Sequence, residues 1–421
     1  MSKLEELINQ LCPDGVEYKK IGEVFTTVTD YTAAGSFADI AKNVKYLNDK
    51  GFAQLVRTTD LKSKFSNNEK FIYVDENAFR YLWRVNLDEE CLVLPNIGNC
   101  GEIYYVTPEM LPANNNVLGP NAILVKSKLA NMRFLFHVLQ APEFQLQLSK
   151  ITSSTGQTKF NKTSFKGLTI PLPPLPIQEE IVRILDNMTS LTAELTAELT
   201  AELKARQKLY EYYSDSLFSN ESYAYVPITD IAYTYIGLVT TMTKHYVDEG
   251  VRLIHNSSIK KNRFEFKEDT FLDEPFANAN ENRRHKVDDV VTVHTGDVGT
   301  SALIDEELDG SLGFATIVSR VLDKEKVLPK FLCFYLNSHK NKRNIASLIK
   351  GDRNNLNLKD FNKLNVPIPP IEEQQRIVNI LDRFDKLCND ISEVLPAEIE
   401  ARKKQYEYYR DKLLSFKEKE A

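Results

Sequence analysis

The feature that most constrains the fold of this 421-residue chain is a sequence block that occurs twice. The offset between the copies stays at 196 residues, so neither copy has gained or lost a residue relative to the other. The segments that precede them, 1–165 and 220–360, share little sequence. The chain is therefore predicted to alternate a variable module with a constant helical block, twice. Matching segments begin at Leu168 and Leu364, at Ile181 and Ile377, and at Tyr210 and Tyr406.

Length and composition narrow the class of protein. A chain of 421 residues suggests two or three domains, and 42% apolar with 27% charged residues is ordinary for a soluble globular protein. The sequence has no apolar run long enough for a membrane span and no signal-peptide core at its start, and its five cysteines lack Cys-x-x-Cys spacing. Scattered free thiols favour a reducing cytoplasm, where we expect the protein to act. A net charge of −6 disfavours indiscriminate polyanion binding but leaves room for a local basic surface.

Both repeated blocks predict long helices. Apolar residues from Ile177 to Leu195 and from Ile377 to Leu413 follow the alternating four-three spacing of a coiled-coil seam. The same stripes could instead bury each helix against a module, but two long matched helices favour packing on each other. Pro396 lies inside the second helix and predicts a kink.

A tetrapeptide, Thr-Ala-Glu-Leu, occurs three times in succession at 192–203. A four-residue period drifts slowly around a helix and locally unwinds a supercoil. The threonines and leucines of this tract are Thr192, Leu195, Thr196, Leu199, Thr200 and Leu203.

The modules themselves carry short β-rich runs between glycine and asparagine turns, for example at 91–94, 122–125, 290–293 and 315–318. The predicted fold class is α+β, with two mixed α/β modules separated by two long helices that pack on each other. The predicted segments are a first domain (1–167), a central helical region (168–219), a second domain (220–363) and a C-terminal helical region (364–421).

Each module ends in a stretch without acidic residues, from Phe144 to Gln178 and from Lys326 to Gly351. Each also has a short apolar strand followed by small polar and then basic residues. Lysine and arginine neutralise phosphates, and Gln, Asn and Arg can read base edges. A solvated basic face is the alternative, but the same pattern at the same place in both modules favours a DNA surface. The predicted DNA contacts are Thr58, Thr59, Lys62, Lys64, Gln157, Lys159 and Lys162 in the first module, and Asn256, Ser257, Lys260, Lys261, Arg263, Lys342, Arg343, Arg353 and Asn354 in the second.

No motif for catalysis is found. The sequence has no phosphate-binding loop, no dinucleotide-binding glycine motif and no Asn/Asp-Pro-Pro-Tyr/Phe tetrapeptide, and its six histidines lack ligand spacing. No catalytic residue and no metal site are predicted, so an independent methylating enzyme is disfavoured. Two readings stay open: a sequence-specific DNA-binding subunit, and a coiled-coil scaffold whose two heads bind proteins.

The constant blocks resemble a known family. The opening 11–23, the Pro-Pro-Leu run at 173–175 with Gln178, its copy at 369–378, and the segment 402–416 are similar to the specificity subunits of type I restriction–modification systems. The Thr-Ala-Glu-Leu tract resembles the spacer of one branch of that family. One departure is Pro176-Ile177, which stands where the second copy has Glu372-Glu373.

The resemblance implies a non-catalytic subunit with two target-recognition domains, each reading half of a bipartite sequence in double-stranded DNA. It implies that the two long helices pack as an antiparallel coiled coil with pseudo-two-fold symmetry and act as a ruler between the two recognition domains. It also implies two methyltransferase subunits, which carry S-adenosylmethionine, and two restriction subunits, which are motor–nucleases and use ATP and Mg. This chain itself would hold no cofactor.

Overall fold

The structure is a computed structural model that describes residues 2–153, 156–349 and 355–420, without the side chains of 391–393. By compactness the chain divides into two units, each built from separate parts of the helical blocks. Unit 1 comprises Met1–Leu195 and Glu398–Ala421, and unit 2 comprises Thr196–Ala397. We call 1–167 head 1 and 220–363 head 2. The four-segment division given above remains a prediction.

Unit 1 contains three sheets around head 1. A four-stranded sheet has the order β2-β8-β5-β6, a three-stranded sheet has the order β4-β3-β7, and β1 pairs with β9. The strands are β1 (Tyr18–Lys20), β2 (Thr27–Asp30), β3 (Ala53–Val56), β4 (Ile72–Val74), β5 (Cys91–Pro95), β6 (Tyr104–Val106), β7 (Asn116–Leu118), β8 (Ala122–Lys126) and β9 (Thr169–Pro171). The helices are α1 (Lys3–Leu11), α2 (Ile21–Val24), α3 (Phe37–Asn43), α4 (Thr58–Lys62), α5 (Glu76–Tyr81), α6 (Met132–Gln140), α7 (Pro142–Ile151) and α8 (Lys162–Lys166), with 3-10 turns at Tyr31–Ala34, Asn68–Lys70, Trp83–Val85 and Pro108–Met110.

Unit 2 repeats these sheets in head 2. One four-stranded sheet has the order β11-β20-β17-β18 and a second has the order β12-β16-β13-β19, while β10 pairs with β21 and β14 pairs with β15. The strands are β10 (Ala224–Pro227), β11 (Ala232–Ile236), β12 (Tyr246–Val247), β13 (Val251–Ile254), β14 (Ile259–Lys260), β15 (Arg263–Phe264), β16 (Phe271–Leu272), β17 (Val290–Val293), β18 (Ser301–Leu303), β19 (Leu312–Gly313), β20 (Thr316–Val321) and β21 (Asn365–Ile368). The helices are α10 (Ile228–Ile231), α11 (Glu274–Ala279), α12 (Pro329–Leu336), α13 (His339–Leu348) and α14 (Leu358–Phe361), with 3-10 turns at Thr243–His245, Asn256–Ser258 and Glu281–Arg283.

The central strands form where the sequence is continuously apolar. Every residue of β5 and of β17 is buried, as expected for a strand covered on both faces. The second sheet of each head is also equivalent, because β3 pairs antiparallel with β4 and parallel with β7, while β13 pairs antiparallel with β16 and parallel with β19. Two sequences with little identity therefore build one topology.

The two blocks form the long helices α9 (Leu175–Leu217) and α15 (Ile371–Leu414), which begin 196 residues apart. In unit 1 the core contains Ile177 and Ile181 from the start of α9 together with Leu414 from the end of α15. In unit 2 the core contains Ile377 from the start of α15 together with Tyr210 from α9. Each unit thus joins the start of one long helix to the end of the other, as antiparallel helices require. The α+β class is confirmed, and α15 continues as helix through Pro396.

A buried glutamine fixes each long helix to its own head. The Gln178 Oε1 accepts from the Asn131 amide at 2.9 Å, and the Gln374 Oε1 accepts from the Leu328 amide at 3.0 Å. These amides stand at the starts of α6 and α12, where helical N–H groups lack partners within the helix. An ion pair supports each junction. It joins Arg133 Nε to Asp186 Oδ1 at 3.0 Å in unit 1, and Lys330 Nζ to Asp382 Oδ2 at 2.8 Å in unit 2. The heads are thus mounted on the repeated helices in the same way.

No helix in the described part of the chain is long and apolar enough to cross a membrane.

Candidate nucleic-acid interface

In the sheets β2-β8-β5-β6 and β11-β20-β17-β18, a glycine-containing loop joins an inner strand to the neighbouring edge strand. Glycine loop 1 (96–101) connects β5 to β6, and glycine loop 2 (294–299) connects β17 to β18. Each contains Gly-x-x-Gly, and the offset is 198 residues for both glycines. All four glycines have positive φ, 89° and 111° in loop 1 and 99° and 81° in loop 2. This backbone region favours glycine because a Cβ is strained there.

Each glycine loop is hydrogen-bonded to a segment within or just after the basic stretch of its own head. In head 1, Ile97 bridges Lys159, and the Phe160 amide donates to the Asn96 carbonyl at 3.1 Å. In head 2, Thr295 bridges Asn355, and the Leu356 amide donates to the His294 carbonyl at 2.9 Å. We call 156–160 tail segment 1 and 355–356 tail segment 2. The same backbone pairing therefore joins two loops that are far apart in the sequence, once in each head.

Five of the predicted DNA contacts are open to solvent and form no ion pair with the residues that the structure describes. Gln157 and Lys159 lie on tail segment 1, so the structure places them directly beside glycine loop 1. The other three lie just after an inner strand of the second sheet of their head, β3 or β13. These exposed residues are Thr59, Lys64, Gln157, Lys159 and Ser257.

Five other predicted cations have carboxylate partners, among them Arg263, whose Nη2 lies 3.5 Å from Glu265 Oε2. Lys62 pairs with Glu102 at 2.6 Å, and Lys162 pairs with Asp30 at 2.9 Å. In head 2, Arg343 lies 3.4 Å from Asp215, and Lys342 lies 3.5 Å from Asp297. Part of the positive charge read from the sequence is therefore neutralised within the protein.

A hairpin present in head 2, β14–β15, directs further predicted contacts onto the long helices of unit 2. The Lys261 ammonium lies 3.8 Å from the centre of the Tyr210 ring, and Arg263 donates to Asn389 at 2.8 Å. Burial lowers the pKa of Lys261 and raises the pKa of the neighbouring Asp385 carboxyl. Desolvation disfavours the charged form of both groups. This hairpin therefore connects head 2 to the long helices of unit 2. Lys260, another predicted DNA contact in the hairpin, is half-buried within β14.

The remaining predicted residues differ in what they contact. The side-chain amide of Asn256 bonds to the protein backbone. Its Oδ1 accepts from the His294 N–H at 2.9 Å, and its Nδ2 donates to the Ala315 carbonyl at 3.3 Å. Thr58 begins α4 and is half-buried. Arg353 and Asn354 lie outside the described residues. The sequence reasoning missed the glycine loops, although their constant 198-residue offset was a signal that could have revealed them.

The Thr-Ala-Glu-Leu tract forms a regular stripe on α9. Its threonines and leucines are half-buried, whereas its alanines and glutamates are exposed. The Thr200 hydroxyl donates to the Thr196 carbonyl at 2.7 Å, one turn earlier. The spacer residues Thr192, Leu195, Thr196, Leu199, Thr200 and Leu203 therefore share one face of the helix.

Among the described residues, no group of three or more His, Cys, Asp or Glu side chains is placed to hold a metal ion.

Duplicated heads of one topology, mounted in the same way on duplicated helices, define a two-domain α+β protein with a glycine loop in each head. The family model for the type I restriction modification DNA specificity domain matches this chain twice, at 13–205 and 221–401. The chain belongs to this family.

Relatives and solved structures agree with this assignment. A putative type I restriction enzyme specificity subunit of Haemophilus influenzae is 35% identical over 311 residues, which cover 72% of this chain and 76% of that one. A type I restriction enzyme specificity subunit of Escherichia coli is 34% identical over 60% of this chain and 64% of its own length. The fold is similar to that of the HsdS subunit from Thermoanaerobacter tengcongensis, with a TM-score of 0.58 and 16% identity over 96% of this chain and 97% of that one. It is also similar to a chain from a structural study of type I R-M complex assembly, with a TM-score of 0.68 and 17% identity over 96% and 98%.

Proposed function

We propose that this chain is a non-catalytic specificity subunit that reads a bipartite sequence in double-stranded DNA, one half per head. One observation carries the proposal: both heads present a glycine loop joined to a tail segment at the same place on the same sheet, with different side chains in each. Two independent readers of DNA sequence need a common scaffold with different contact residues. Contacts to the DNA backbone position the protein on the duplex, and side chains that reach the base edges specify the sequence.

The duplicated mounting supports a matching set of partners. Two methyltransferase subunits would bind the helical region and carry S-adenosylmethionine, and two restriction subunits would add ATP- and Mg-dependent motor and nuclease activity. Since every step of chemistry lies on these partners, the contribution of this chain is binding and orientation. The cytoplasm is the proposed location.

The test is methylation mapping of a host genome that expresses this chain with its methyltransferase partner. We expect methylation at a bipartite motif, and exchanging residues 220–363 for another head should change one half of that motif while the other half stays the same. The matched control exchanges residues 1–167 and should change the opposite half. If both halves changed in either exchange, the independent-reader model would be wrong. If no sequence-specific methylation occurred while the heads captured proteins, the scaffold reading would replace it.

A further inference from the structure

Both heads contain a glycine loop although their sequences otherwise differ. In each head, a side chain from the same position of a neighbouring helix donates a hydrogen bond to a carbonyl of the loop. Gln145 on α7 donates from Nε2 to the Gly101 carbonyl at 3.0 Å. Lys342 on α13 stands 197 residues later and donates from Nζ to the Val298 carbonyl at 3.3 Å. An amide and an ammonium at the fourth residue of their helices thus hold carbonyls one position apart in the two loops.

This equivalence changes the role of Lys342. Its ammonium also donates to the Thr300 hydroxyl and faces the Asp297 carboxylate, so its hydrogen-bonding capacity is used inside the protein. Burial lowers the pKa of Lys342, as expected for an ammonium withdrawn from solvent. Because the neutral Gln145 supports loop 1 from the same helix position in head 1, charge is not what this position requires. Lys342 acts as a support for loop 2.

The outer side of loop 1 is open. A Cβ added at Gly98 would meet as its nearest described neighbour the Gln157 Nε2, at 4.0 Å. The exposed Lys159 is on the strand-like tail paired with Ile97, the residue that precedes Gly98. A glycine turn with open space lets another backbone approach closely, and a neighbouring lysine neutralises a phosphate.

At Gly296 of loop 2, no described atom lies within 4 Å of the corresponding Cβ position. The Asp297 carboxylate of this loop accepts from the Thr300 hydroxyl at 2.6 Å and lies 3.5 Å from the Lys342 ammonium. The acidic side chain in loop 2 is therefore already partnered within head 2.

We propose that each glycine loop binds a phosphate of the DNA backbone in the half-site of its head, with Gln145 and Lys342 as positioning residues. This inference rests on the proposed DNA-binding function. If each glycine loop binds a phosphate, the tail segment beside it is placed to read the neighbouring bases. In head 1 the side chain for this role is Gln157, which lies next to glycine loop 1.

The test places opposite charges on one backbone position. Gly98→Glu and Gly98→Lys carry the same strain, since φ is 89° in both, so a difference between them reports the charge of what lies opposite. We expect the glutamate variant to bind a double-stranded fragment carrying the mapped target at least tenfold more weakly than the lysine variant. The lysine variant should steepen the log–log salt dependence by about 0.9, the value for one added phosphate contact.

Gly310 provides the matched control, because its φ is 78° and it lies outside both loop pairs. Gly310→Glu and Gly310→Lys should bind within about threefold of each other, which is under 1 kcal/mol. Equal binding by the two Gly98 variants, in a complex that still recognises its target, would overturn the phosphate contact and leave the proposed function intact. Failure of the unmodified complex to bind its mapped target would instead refute the proposed function.

The positioning role has a separate readout. Lys342→Ala should weaken binding while retaining the salt dependence, and Lys342→Gln should recover most of the affinity by restoring the head 1 arrangement. A loss of about 0.9 from the salt slope in both variants would show that Lys342 itself contacts phosphate, which contradicts the assignment.

Discussion

Head 1 and head 2 use the same sheets to support different surfaces. Both have a central strand flanked by a glycine loop, and both are fixed to a long helix by a buried glutamine. They differ in the residue that supports the loop, Gln145 or Lys342, and in the β14–β15 hairpin that docks onto the helices of unit 2. The mounting is constant and the exposed loops vary, which lets recognition change without altering how a head is held.

The two long helices also differ in sequence where they correspond in position. Residues 192–203 of α9 form three tandem repeats, whereas the corresponding residues 388–399 of α15 form none and include Pro396. Both segments nevertheless have the same length. The comparison therefore separates two properties of the tract, its length and its sequence.

Removing one repeat should have the largest effect. Deleting residues 200–203 removes about 6 Å of helix at 1.5 Å per residue and turns the following part by about 40° beyond a full turn. One step along DNA rotates by about 34–36° and rises by about 3.4 Å, so the rotation matches one base pair, and bending or supercoil adjustment absorbs the excess translation. We expect methylation to keep both half-sites and to move to a target whose spacer is one base pair shorter.

A length-matched control distinguishes a ruler from a sequence-specific packing surface. Thr200→Ala with Leu203→Ala keeps the helix length while removing the half-buried side chains, and its methylated spacer should stay unchanged. An active deletion variant that methylates the original spacing would refute the ruler.

The mounting can be tested by removing one glutamine. Gln374→Ala eliminates contacts to the Leu328 amide and to the carbonyls of Lys326 and Pro369, at 2.8–3.0 Å. Because buried groups left unpaired cost about 1–3 kcal/mol each, we expect a loss of about 2–4 kcal/mol in the free energy of unfolding measured by urea denaturation.

The neighbouring Gln375 is the control, since it is exposed and bonds within its own helix to Asn379. Gln375→Ala should change the free energy by less than about 0.5 kcal/mol. Gln178→Ala should cost less than Gln374→Ala, because Gln178 makes two such bonds rather than three. Equal losses for Gln374 and Gln375 would show that the glutamine does not secure the head.

The sequence predicted the parts of this protein that depend on local pattern. The helices from Leu175 and Ile371 follow from apolar spacing and from proline-rich starts, and β5 and β17 follow from continuous apolar runs. Repetition supplied the two-module arrangement, because equal sequences at a constant offset must form equal structures.

Contacts between distant segments could not be read in this way. The pairing of Ile97 with Lys159 spans about 60 residues, and nothing in either segment specifies the partner. Lys261 and Lys342 lie in polar stretches, so the sequence predicted them to be exposed cations. In the folded protein Lys261 packs on the Tyr210 ring, and Lys342 donates to the Val298 carbonyl of glycine loop 2. Basic composition indicates a surface, whereas the surrounding fold decides which cations remain available.

The smallest expected effect concerns two lysines that the sequence treats alike. Lys162 is engaged with Asp30, whereas Lys159 is exposed and stands where head 2 has Asn355. Lys159→Ala should therefore lower the slope of log affinity against log salt by about 0.9, while Lys162→Ala should leave the slope unchanged. The reverse substitution in head 2, Asn355→Lys, should raise the slope by about the same amount because it gives tail segment 2 the charge of tail segment 1. Binding titrations of the mapped target between 50 and about 200 mM salt measure these slopes, with the exposed Lys128→Ala as the control. A lower slope in the Lys162 variant than in the Lys159 variant would place the DNA against α8 instead of the glycine loop.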